Sequence, residues 1–368
     1  MSYVRVEIDH GAITRNVQNL SARTDAAVMA VVKADAYGHG LVGAAHAARA
    51  GGASWLGVAQ PHEALALREA GDSGRILTWL YGAEVPADAL IAAGVDVSAS
   101  SLDVLDALVA GARAAGSVAR VHLCVDTGLA REGAPLDVFG ELVEAAVAAQ
   151  QAGSITVVGV WSHLAWADAP GHPTIDTQAS VFREAVAIAE HAGLTLEVRH
   201  LANSACTLTR PDLHFDLVRP GIAVYGLPPV EDPEGADFGL EPAMRVSSSL
   251  ILTKRVPAGQ GVSYGHDYVT TVETTLGLVS AGYADGVFRS AGNTAQVAIR
   301  GKRYTIAGRV CMDQFVVDLG PETECTAGDE VVLIGPSGPT ATDWAQAVDT
   351  INYEVVCRFG GLKPKATL

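Results

Sequence analysis

The feature that most constrains the fold is a regular alternation of strand-like and helix-like segments from about Gly11 to Gly226. Short apolar, β-branched runs are followed by alanine-rich amphipathic stretches such as Leu102–Ala115. Strict alternation predicts a parallel sheet, and about eight such units in this length predict a closed (β/α)8 barrel of the TIM type. The predicted strands are Val28–Ala34, Ser54–Ala59, Arg75–Leu80, Val95–Ser98, Val118–Val125, Thr156–His163, Glu197–Leu201 and Leu217–Tyr225.

A second domain is indicated by a change in character after Pro228. Residues 228–235 form a linker rich in proline and acidic residues, and from Met244 onward short alternating strands predict a mostly antiparallel β-domain. We therefore predict a barrel over residues 10–235 and a β-domain over residues 236–368, with the strand within residues 1–9 joining the β-domain. One helix is predicted over Thr342–Val348, with Thr342 as its N-cap.

Composition excludes several classes of protein. The 368 residues carry a formal net charge of −16 and a pI of about 5.0, which disfavours nucleic acid and anionic membranes as partners. The first nine residues alternate and carry charge, unlike a signal peptide, and no apolar run is long enough to span a bilayer. The five cysteines are scattered and have no metal-type spacing, which is typical of reduced thiols in a cytoplasmic protein without a metal.

Lys33 is the most informative single residue. It ends the first predicted strand, in the segment VVKADAYGHG at residues 31–40. A lysine that faces a cleft among apolar neighbours loses solvation of its ammonium group, and the neutral amine is a nucleophile for aldehydes, with which it forms a Schiff base. The alternative is a strand-end lysine whose ammonium reaches water. The local sequence leaves both interpretations open.

Further polar side chains follow the other predicted strands, at the rim where barrel enzymes carry their reactive groups. They are Arg131 after the fifth strand, His163 at the end of the sixth, Asn203 and Ser204 after the seventh, and Arg219 in the eighth. Because loops are polar in any case, some of these residues could be merely solvated. Arg219 alone could equally be an ion-pair residue, and His163 a hydrogen-bonded structural histidine.

A phosphate site is expected after the last two barrel strands. Asn203 and Ser204 offer polar side chains at a helix start, and the amides of Gly221 and Ile222 are free for an anion. Tyr37, in the lysine segment, can add a phenol donor. The alternative role of Ser204 is simple helix capping.

Three segments resemble motifs of the alanine racemase family. They are VVKADAYGHG at residues 31–40, LVRPGIAVYG at residues 217–226 and GVSYG at residues 261–265, and the resemblance covers nearly the full chain. It implies a barrel followed by a β-domain, pyridoxal 5'-phosphate (PLP) as cofactor, and interconversion of L-alanine and D-alanine in the cytoplasm, which supplies D-alanine for peptidoglycan.

The resemblance also implies roles for the barrel residues. Lys33 matches the lysine that forms the Schiff base with PLP, and Arg219 matches the arginine that faces the pyridine nitrogen. An arginine donates and does not readily accept a proton, so it leaves that nitrogen unprotonated. The family residues that hold the phosphate correspond to Tyr37, Ser204, Gly221, Ile222 and Tyr353.

Racemisation needs an acid–base group on each face of the substrate carbon. By family analogy, Lys33 takes the proton from D-alanine and Tyr264 takes it from L-alanine. A neutral phenol is a poor base at neutral pH, so its proton needs an acceptor. His163 matches a family histidine that links the tyrosine to the pyridine-facing arginine, here Arg219.

Family members are homodimers in which this tyrosine reaches the active site of the partner. Met312 and Asp313 match residues that approach the substrate carboxylate from the same partner, and Arg131 matches an arginine that contacts the cofactor phenolate and that carboxylate. Tyr283 matches a residue of the substrate entrance, where it could act as a narrow gate, although ordinary packing in the β-domain is the alternative.

One position departs from the family pattern. Many members carry a carbamylated lysine two residues before the aspartate that corresponds to Asp126, where it positions the arginine, and here that place holds Cys124. A thiol cannot form a carbamate. We therefore expect Arg131 to be held by a bound anion or by hydrogen bonds.

Three alternatives remain open at this point. Residues 38–43, GHGLVG, fit a dinucleotide fingerprint, but several residues separate the first glycine from the strand and the next strand lacks the ribose-binding acid, which disfavours a dehydrogenase. Non-enzymatic PLP-binding proteins share a related lysine motif but lack the β-domain and its tyrosine. A racemase for serine or for several amino acids has the same fold and cannot be distinguished by sequence.

Overall fold

The computed structural model describes residues 4–230, 237–361 and 365–367. Its contacts divide the chain into two compact units. The first comprises Gly11–Ala36 and Leu41–Glu241, and the second comprises Tyr37–Gly40 together with the segments before Gly11 and after Glu241. The predicted boundary at residues 235 and 236, and most of the predicted linker, lie outside the described residues.

The first unit is a barrel. In the described part of the chain its eight parallel strands, numbered one to eight below, are Ala27–Val31, Trp55–Val58, Arg75–Thr78, Asp96–Ala99, Ala119–Asp126, Ile155–Trp161, Val198–His200 and Leu217–Val218. Strands one to seven pair in this order, and strand eight pairs with strand one. Two backbone bonds join strands seven and eight, from Asp216 N to Arg199 O (3.1 Å) and from Arg219 N to Ala202 O (2.8 Å). The predicted barrel is confirmed.

The apolar strand residues fill the barrel interior, which accounts for their β-branched, uncharged sequences. One buried cluster takes residues from six of the strands and consists of Met29, Trp55, Leu77, Val158, Val198 and Leu217. A packed interior of this kind leaves the carboxyl ends of the strands as the place for chemistry.

Helices pack around this sheet, and capping residues explain both ends of one of them. Leu102–Ala115 has the predicted bounds because the Ser101 hydroxyl accepts from Val104 N and Gly116 adopts the left-handed conformation. Its buried face includes Leu105 and Leu108. The other helices are His10–Ser21, Leu41–Ala50, Pro61–Glu69, Ala87–Ala92, Leu136–Gln151, Thr174–His191 and Ser204–Thr209.

Two strand predictions were wrong at their ends. Strand one stops at Val31 rather than Ala34, because Lys33–Gly38 forms a short helical turn. Strand eight stops at Val218 rather than Tyr225, because Ile222–Tyr225 forms a 3-10 turn. In both cases the apolar sequence continues beyond the end of the strand. Most of these additional apolar residues are buried, but they do not belong to a strand.

The second unit is mostly antiparallel, as predicted. Met244–Val256 pairs antiparallel with Arg5–Ile8, Thr274–Val279 and Glu330–Ile334, and Arg5–Ile8 pairs in parallel with Lys365–Thr367. The other strands are Gly261–Val262, Tyr268–Val269, Gln296–Ile299, Lys302–Thr305 and Phe315–Gly320. A small buried cluster under these strands consists of Val256, Val262, Leu276 and Ala307.

Two helices complete the second unit, and both correct the sequence analysis. The first is Ala341–Val348, and its N-cap is Thr340 rather than Thr342, because Asp343 stands three residues later and closes a capping box with Thr340 at 3.0 Å in each direction. The second, Asn352–Gly361, was not predicted. None of the helices in the described ranges is both long and apolar enough to cross a bilayer.

Candidate active site

Lys33 begins a backbone turn of unusual hand. The four residues that follow it, Ala34 to Tyr37, all have φ of 54° to 56°, in the left-handed region. None of them is glycine, and a left-handed helical residue costs about 1–2 kcal/mol. The turn therefore persists only because its surroundings hold it, and it fixes the half-buried Lys33 at the rim of the barrel.

Two carboxylates hold this turn. The buried Glu63 accepts from Ala34 N (2.6 Å) through one oxygen, and from Ala59 N (3.1 Å) and Gln60 N (2.9 Å) through the other. Asp35, inside the turn, accepts from Leu41 N (2.7 Å) at the start of the next helix. The lysine segment is thus tied to the end of strand two and to its own downstream helix.

Arg219 is buried, with 5 % of its surface exposed, beneath the same rim. It donates to the Ser162 carbonyl (2.7 Å) and to His163 Nδ1 (3.3 Å), and its guanidinium carbon lies 5.1 Å from the centre of the Trp161 ring. Burial lowers the pKa of Arg219 to about 10, so it remains a cation at neutral pH.

His163 is neutral in this environment. Burial, followed by the positive charges of Arg219, Arg131 and Lys33, holds its pKa well below the ordinary value. Because Arg219 donates to Nδ1, that nitrogen is the acceptor and the proton of the neutral ring lies on Nε2. The four side chains share one electrostatic neighbourhood, as the rim prediction expected.

Ser204 and the segment after Arg219 are brought together. The Ser204 hydroxyl accepts from Gly221 N (2.7 Å) and Ala223 N (3.3 Å), and the buried Ile222 lies between these two residues. The prediction of a free Gly221 amide was therefore wrong, because this amide already donates to Ser204. The side chain of Asn203 caps the helix Ser204–Thr209 by accepting from Cys206 N (3.1 Å). A contact between Asn203 and the cofactor remains a prediction.

Arg131 has a carboxylate partner next to it in the chain. It donates to Glu132 Oε1 (2.9 Å), and the turn that leads to it is shaped by Asp126, whose carboxylate accepts from Gly128 N (2.8 Å). Burial, with the Glu132 carboxylate as second cause, raises the pKa of the Cys124 thiol well above its ordinary value. The position without a carbamate is therefore a neutral thiol, and an intramolecular carboxylate faces the arginine.

In the second unit, Tyr37 and Tyr353 lie together, with ring centres 6.1 Å apart. Burial, with the neighbouring Tyr353 and Cys357, raises the pKa of Tyr37 above its ordinary value, which keeps its phenol a proton donor. Gly38 has φ of +79°, and a Cβ there would lie 2.6 Å from the Val356 carbonyl, so the helix Asn352–Gly361 packs directly on the backbone of this segment.

The loops that carry Tyr264, Tyr283 and Met312 are hydrogen-bonded to one another. Ser263, beside Tyr264, donates to the Arg309 carbonyl (2.6 Å), and the amide of Tyr283 donates to the Cys311 carbonyl (3.1 Å). Tyr264 is 69 % and Met312 is 54 % exposed, and Asp313 is also exposed, whereas Tyr283 is half-buried. These loops form one surface, called here the tyrosine face.

Sequence reasoning missed several residues that support the site. Glu63 holds the lysine turn, and a buried trio supports Arg219 and His163: Thr127 contacts the Ser162 hydroxyl (2.8 Å), and Gln178 donates to Thr127 (3.0 Å) and to the His163 carbonyl (3.1 Å). The available signal was weak. Gln178 lies on the buried face of the helix Thr174–His191, and its polar side chain is notable only because it is buried.

Comparison with known proteins identifies the family. A family model described as alanine racemase, N-terminal domain, matches residues 8–229, and one described as alanine racemase, C-terminal domain, matches residues 243–366. The chain belongs to the alanine racemase family. This assignment, which includes the β-domain, decides against a dehydrogenase and against a single-barrel PLP-binding protein.

Relatives and solved structures of similar length agree. An alanine racemase of Salinispora arenicola is 54% identical over 363 residues, which is 98% of this chain and 96% of the relative. One from Streptomyces coelicolor is 53% identical over 373 residues, 98% of this chain and 95% of the relative. The crystal structure of alanine racemase from D-cycloserine producing Streptomyces lavendulae has a TM-score of 0.97 at 53% identity, with 100% of this chain and 97% of the other covered.

Proposed function

We propose that this chain interconverts L-alanine and D-alanine with PLP as cofactor, using Lys33 and Tyr264 as the two acid–base groups. The observation that carries the proposal is the contact of the buried Arg219 with His163 (3.3 Å) at the barrel rim, where the charges of Arg131 and Lys33 also act on this imidazole. Family membership supplies the reaction.

The donor set of the barrel fits PLP. Lys33 offers an amine for the aldehyde, and Arg219 offers a buried cation that only donates. The Ser204 hydroxyl accepts from Gly221 N and Ala223 N, so its own proton is left to donate to a phosphate. Ile222, Asn203, Tyr37 and Tyr353 are included as phosphate or cofactor contacts on the resemblance. When bound, the cofactor withdraws electrons from the substrate's Cα–H bond and makes its proton removable.

The chain's own residues then handle that proton. Lys33 Nζ takes the proton from D-alanine while Tyr264 Oη gives a proton to the opposite face, which forms L-alanine, and the two groups exchange roles in the reverse direction. In this proposal His163 links the phenol to the guanidinium, and its hydrogen bond from Arg219 to Nδ1, which leaves the ring proton on Nε2, supports that role. Arg131 and the backbone near Met312, with Asp313, orient the substrate carboxylate, and Tyr283 narrows the entrance.

We propose that two chains form the working enzyme. Tyr264 and Met312 are large side chains with most of their surface uncovered, as expected for residues that complete a partner's site. Co-expressing Lys33→Ala with Tyr264→Phe chains tests this. If sites are shared, mixed dimers hold one intact site of two, and about a quarter of wild-type activity returns. No recovery would mean that each site lies within one chain.

The domain division at residues 235 and 236, a cytoplasmic location and a role in supplying D-alanine for peptidoglycan belong to the same proposal. The family models, which end at residue 229 and resume at residue 243, support the division. Pairing of Arg5–Ile8 with Met244–Val256 supports assigning the first strand to the β-domain.

A circular-dichroism assay across amino acids tests the reaction and its breadth. We expect the wild type to racemise alanine faster than serine or larger amino acids, and Tyr264→Phe to be nearly inactive. Equal rates with serine would favour a broad-specificity racemase of this fold. Absence of racemisation with any amino acid would refute the proposal.

A further inference from the structure

A chain of buried histidines runs from Arg219 across the barrel interior. Arg219 Nη1 lies 3.2 Å from His200 Nδ1, and His200 Nε2 lies 2.9 Å from His122 Nδ1. His122 Nε2 lies 3.3 Å from the Asp96 carboxylate. His200, His122 and Asp96 have no exposed surface, and His200 stacks on Trp161, with ring centres 5.8 Å apart. Strands four, five and seven supply Asp96, His122 and His200, and Arg219 directly follows strand eight.

The two ends of this chain fix the direction of every hydrogen bond. A guanidinium only donates, so Nδ1 of His200 must be an acceptor, and the proton of the neutral ring lies on Nε2. Burial and the charge of Arg219 hold the pKa of His200 well below its ordinary value, in agreement with a neutral ring. His200 therefore donates to His122 Nδ1, and His122 donates through Nε2 to Asp96. If His122 were protonated, its Nδ1–H would donate to His200 Nε2. The proton of the His200 ring would then lie on Nδ1, where it would face the donating Arg219.

Asp96 is held as a carboxylate at the far end. Arg75 donates to one of its oxygens (2.6 Å) and Arg120 to the other (2.6 Å). Burial opposes ionisation, but the hydrogen bond from His122 and the hydrogen bond and charge of Arg75 outweigh it and lower the pKa of Asp96. Arg75 and Arg120 also line a surface cavity of about 550 Å³, so the outer end of the chain reaches solvent.

We infer that Asp96, His122 and His200 are positioning residues that hold Arg219 in place as a hydrogen-bond donor, with one fixed tautomer at each ring. The inference rests on the proposed function only in that Arg219 faces the cofactor. The competing explanation is that the histidines merely fill the interior. Apolar residues of similar volume fill a protein interior at least as well as buried polar groups do. That explanation therefore predicts that an apolar substitute at His122 leaves stability and activity unchanged.

The test compares His122→Phe, which removes both hydrogen bonds of that ring, with His122→Gln, whose amide can still accept from His200 and donate to Asp96. Phe139→Leu, in the outer helix Leu136–Gln151, is the matched control for lost packing. The readouts are the 15N shifts of the His200 ring in the loaded enzyme, thermal unfolding, and kcat/KM for alanine.

We expect wild type, His122→Gln and Phe139→Leu to show His200 protonated on Nε2 alone. His122→Phe should show averaged ring shifts and a loss in kcat/KM of about tenfold to a hundredfold, the size expected for one buried charge-assisted hydrogen bond. An unchanged His200 tautomer in His122→Phe, or an equal loss in Phe139→Leu, would overturn the inference. If wild type has no racemase activity, the proposed function fails while the tautomer readout still stands.

Discussion

The barrel and the β-domain present their candidate reactive groups in opposite ways. Arg219 is buried and hydrogen-bonded by the barrel itself, to His200 and to the Ser162 carbonyl, whereas Tyr264 and Met312 are 69 % and 54 % exposed. Groups whose surroundings are supplied by the same fold are pre-organised before any ligand binds. The tyrosine face, by contrast, is ordered at its backbone and open at its side chains, which is the pattern of a surface completed by another molecule.

The two regions share one device. The residues next to Lys33 and Tyr264 both adopt left-handed backbone without being glycine: Ala34 has φ of 54°, and Ser263 has φ of 59°. Each is held by a hydrogen bond, from Ala34 N to Glu63 and from the Ser263 hydroxyl to the Arg309 carbonyl. In both places a hydrogen bond to a residue remote in sequence stabilises the strained backbone. The strained residue in turn sets the direction of the neighbouring side chain, Lys33 or Tyr264.

Among the predictions that follow, Tyr264→Phe is expected to have the largest effect. Loss of one acid–base group lowers racemisation by about 10²- to 10⁴-fold, equally in both directions because mirror-image substrates have an equilibrium constant of one. Exchange of the Cα proton with solvent, measured by mass spectrometry in D2O, should survive for D-alanine through Lys33 and be lost for L-alanine.

Tyr268→Phe is the control for that change, since it removes another phenol of the β-domain, one that donates to Asp318 (2.7 Å). It should racemise at close to the wild-type rate. Surviving exchange of L-alanine in Tyr264→Phe would show that another group serves that face.

Glu63→Gln should lower the unfolding free energy of the protein by weakening the lysine turn of the barrel. The amide retains one acceptor oxygen but turns an N–H group toward backbone amides that now donate to a carboxylate, which costs about 2–3 kcal/mol of unfolding free energy. Urea unfolding measures it. Glu69→Gln, at the exposed end of the same helix, should change stability by less than about 0.5 kcal/mol. Equal losses in both variants would mean that the lysine turn does not depend on Glu63.

Acid should destabilise the barrel through its buried histidines. Burial, with the charge of Arg219, lowers the pKa of both His163 and His200, so the folded chain binds fewer protons than the unfolded chain below about pH 6.5. Unfolding free energy should therefore fall as pH decreases, by up to about 2.7 kcal/mol per pH unit for two protons. Urea unfolding from pH 7.5 to 5 measures the slope, and His163→Asn should reduce it, whereas the same slope in wild type and variant would exclude His163 as a source.

Removal of carbon dioxide should have no effect. The thiol of Cys124 cannot be carbamylated, and Arg131 is paired with Glu132 at 2.9 Å. Racemase activity in bicarbonate-free buffer should equal that in ordinary buffer. Cys124→Lys provides the contrast, since it restores a group that carbon dioxide can modify. Loss of wild-type activity on depletion and its return with bicarbonate would contradict the expectation.

Strand starts, most helices and the rim residues could be predicted because each depends on local apolar pattern. The lysine turn could not, because nothing in Ala34–Tyr37 favours left-handed backbone and its hydrogen bond to Glu63 spans 29 residues. The helix Asn352–Gly361 was missed because it contains two adjacent valines and ends in two glycines, all poor helix formers. The histidine chain joins His122 to His200 across 78 residues, and no periodicity marks such a pair.

The most direct test concerns Lys33. The loaded enzyme is treated with borohydride, digested, and sequenced by mass spectrometry, so that any amine joined to the pyridoxal aldehyde is permanently marked. The mark is predicted on Lys33 alone, in wild type and in Tyr264→Phe alike. A mark on another lysine, or an unmarked protein, would contradict the assignment of the barrel rim as the cofactor site.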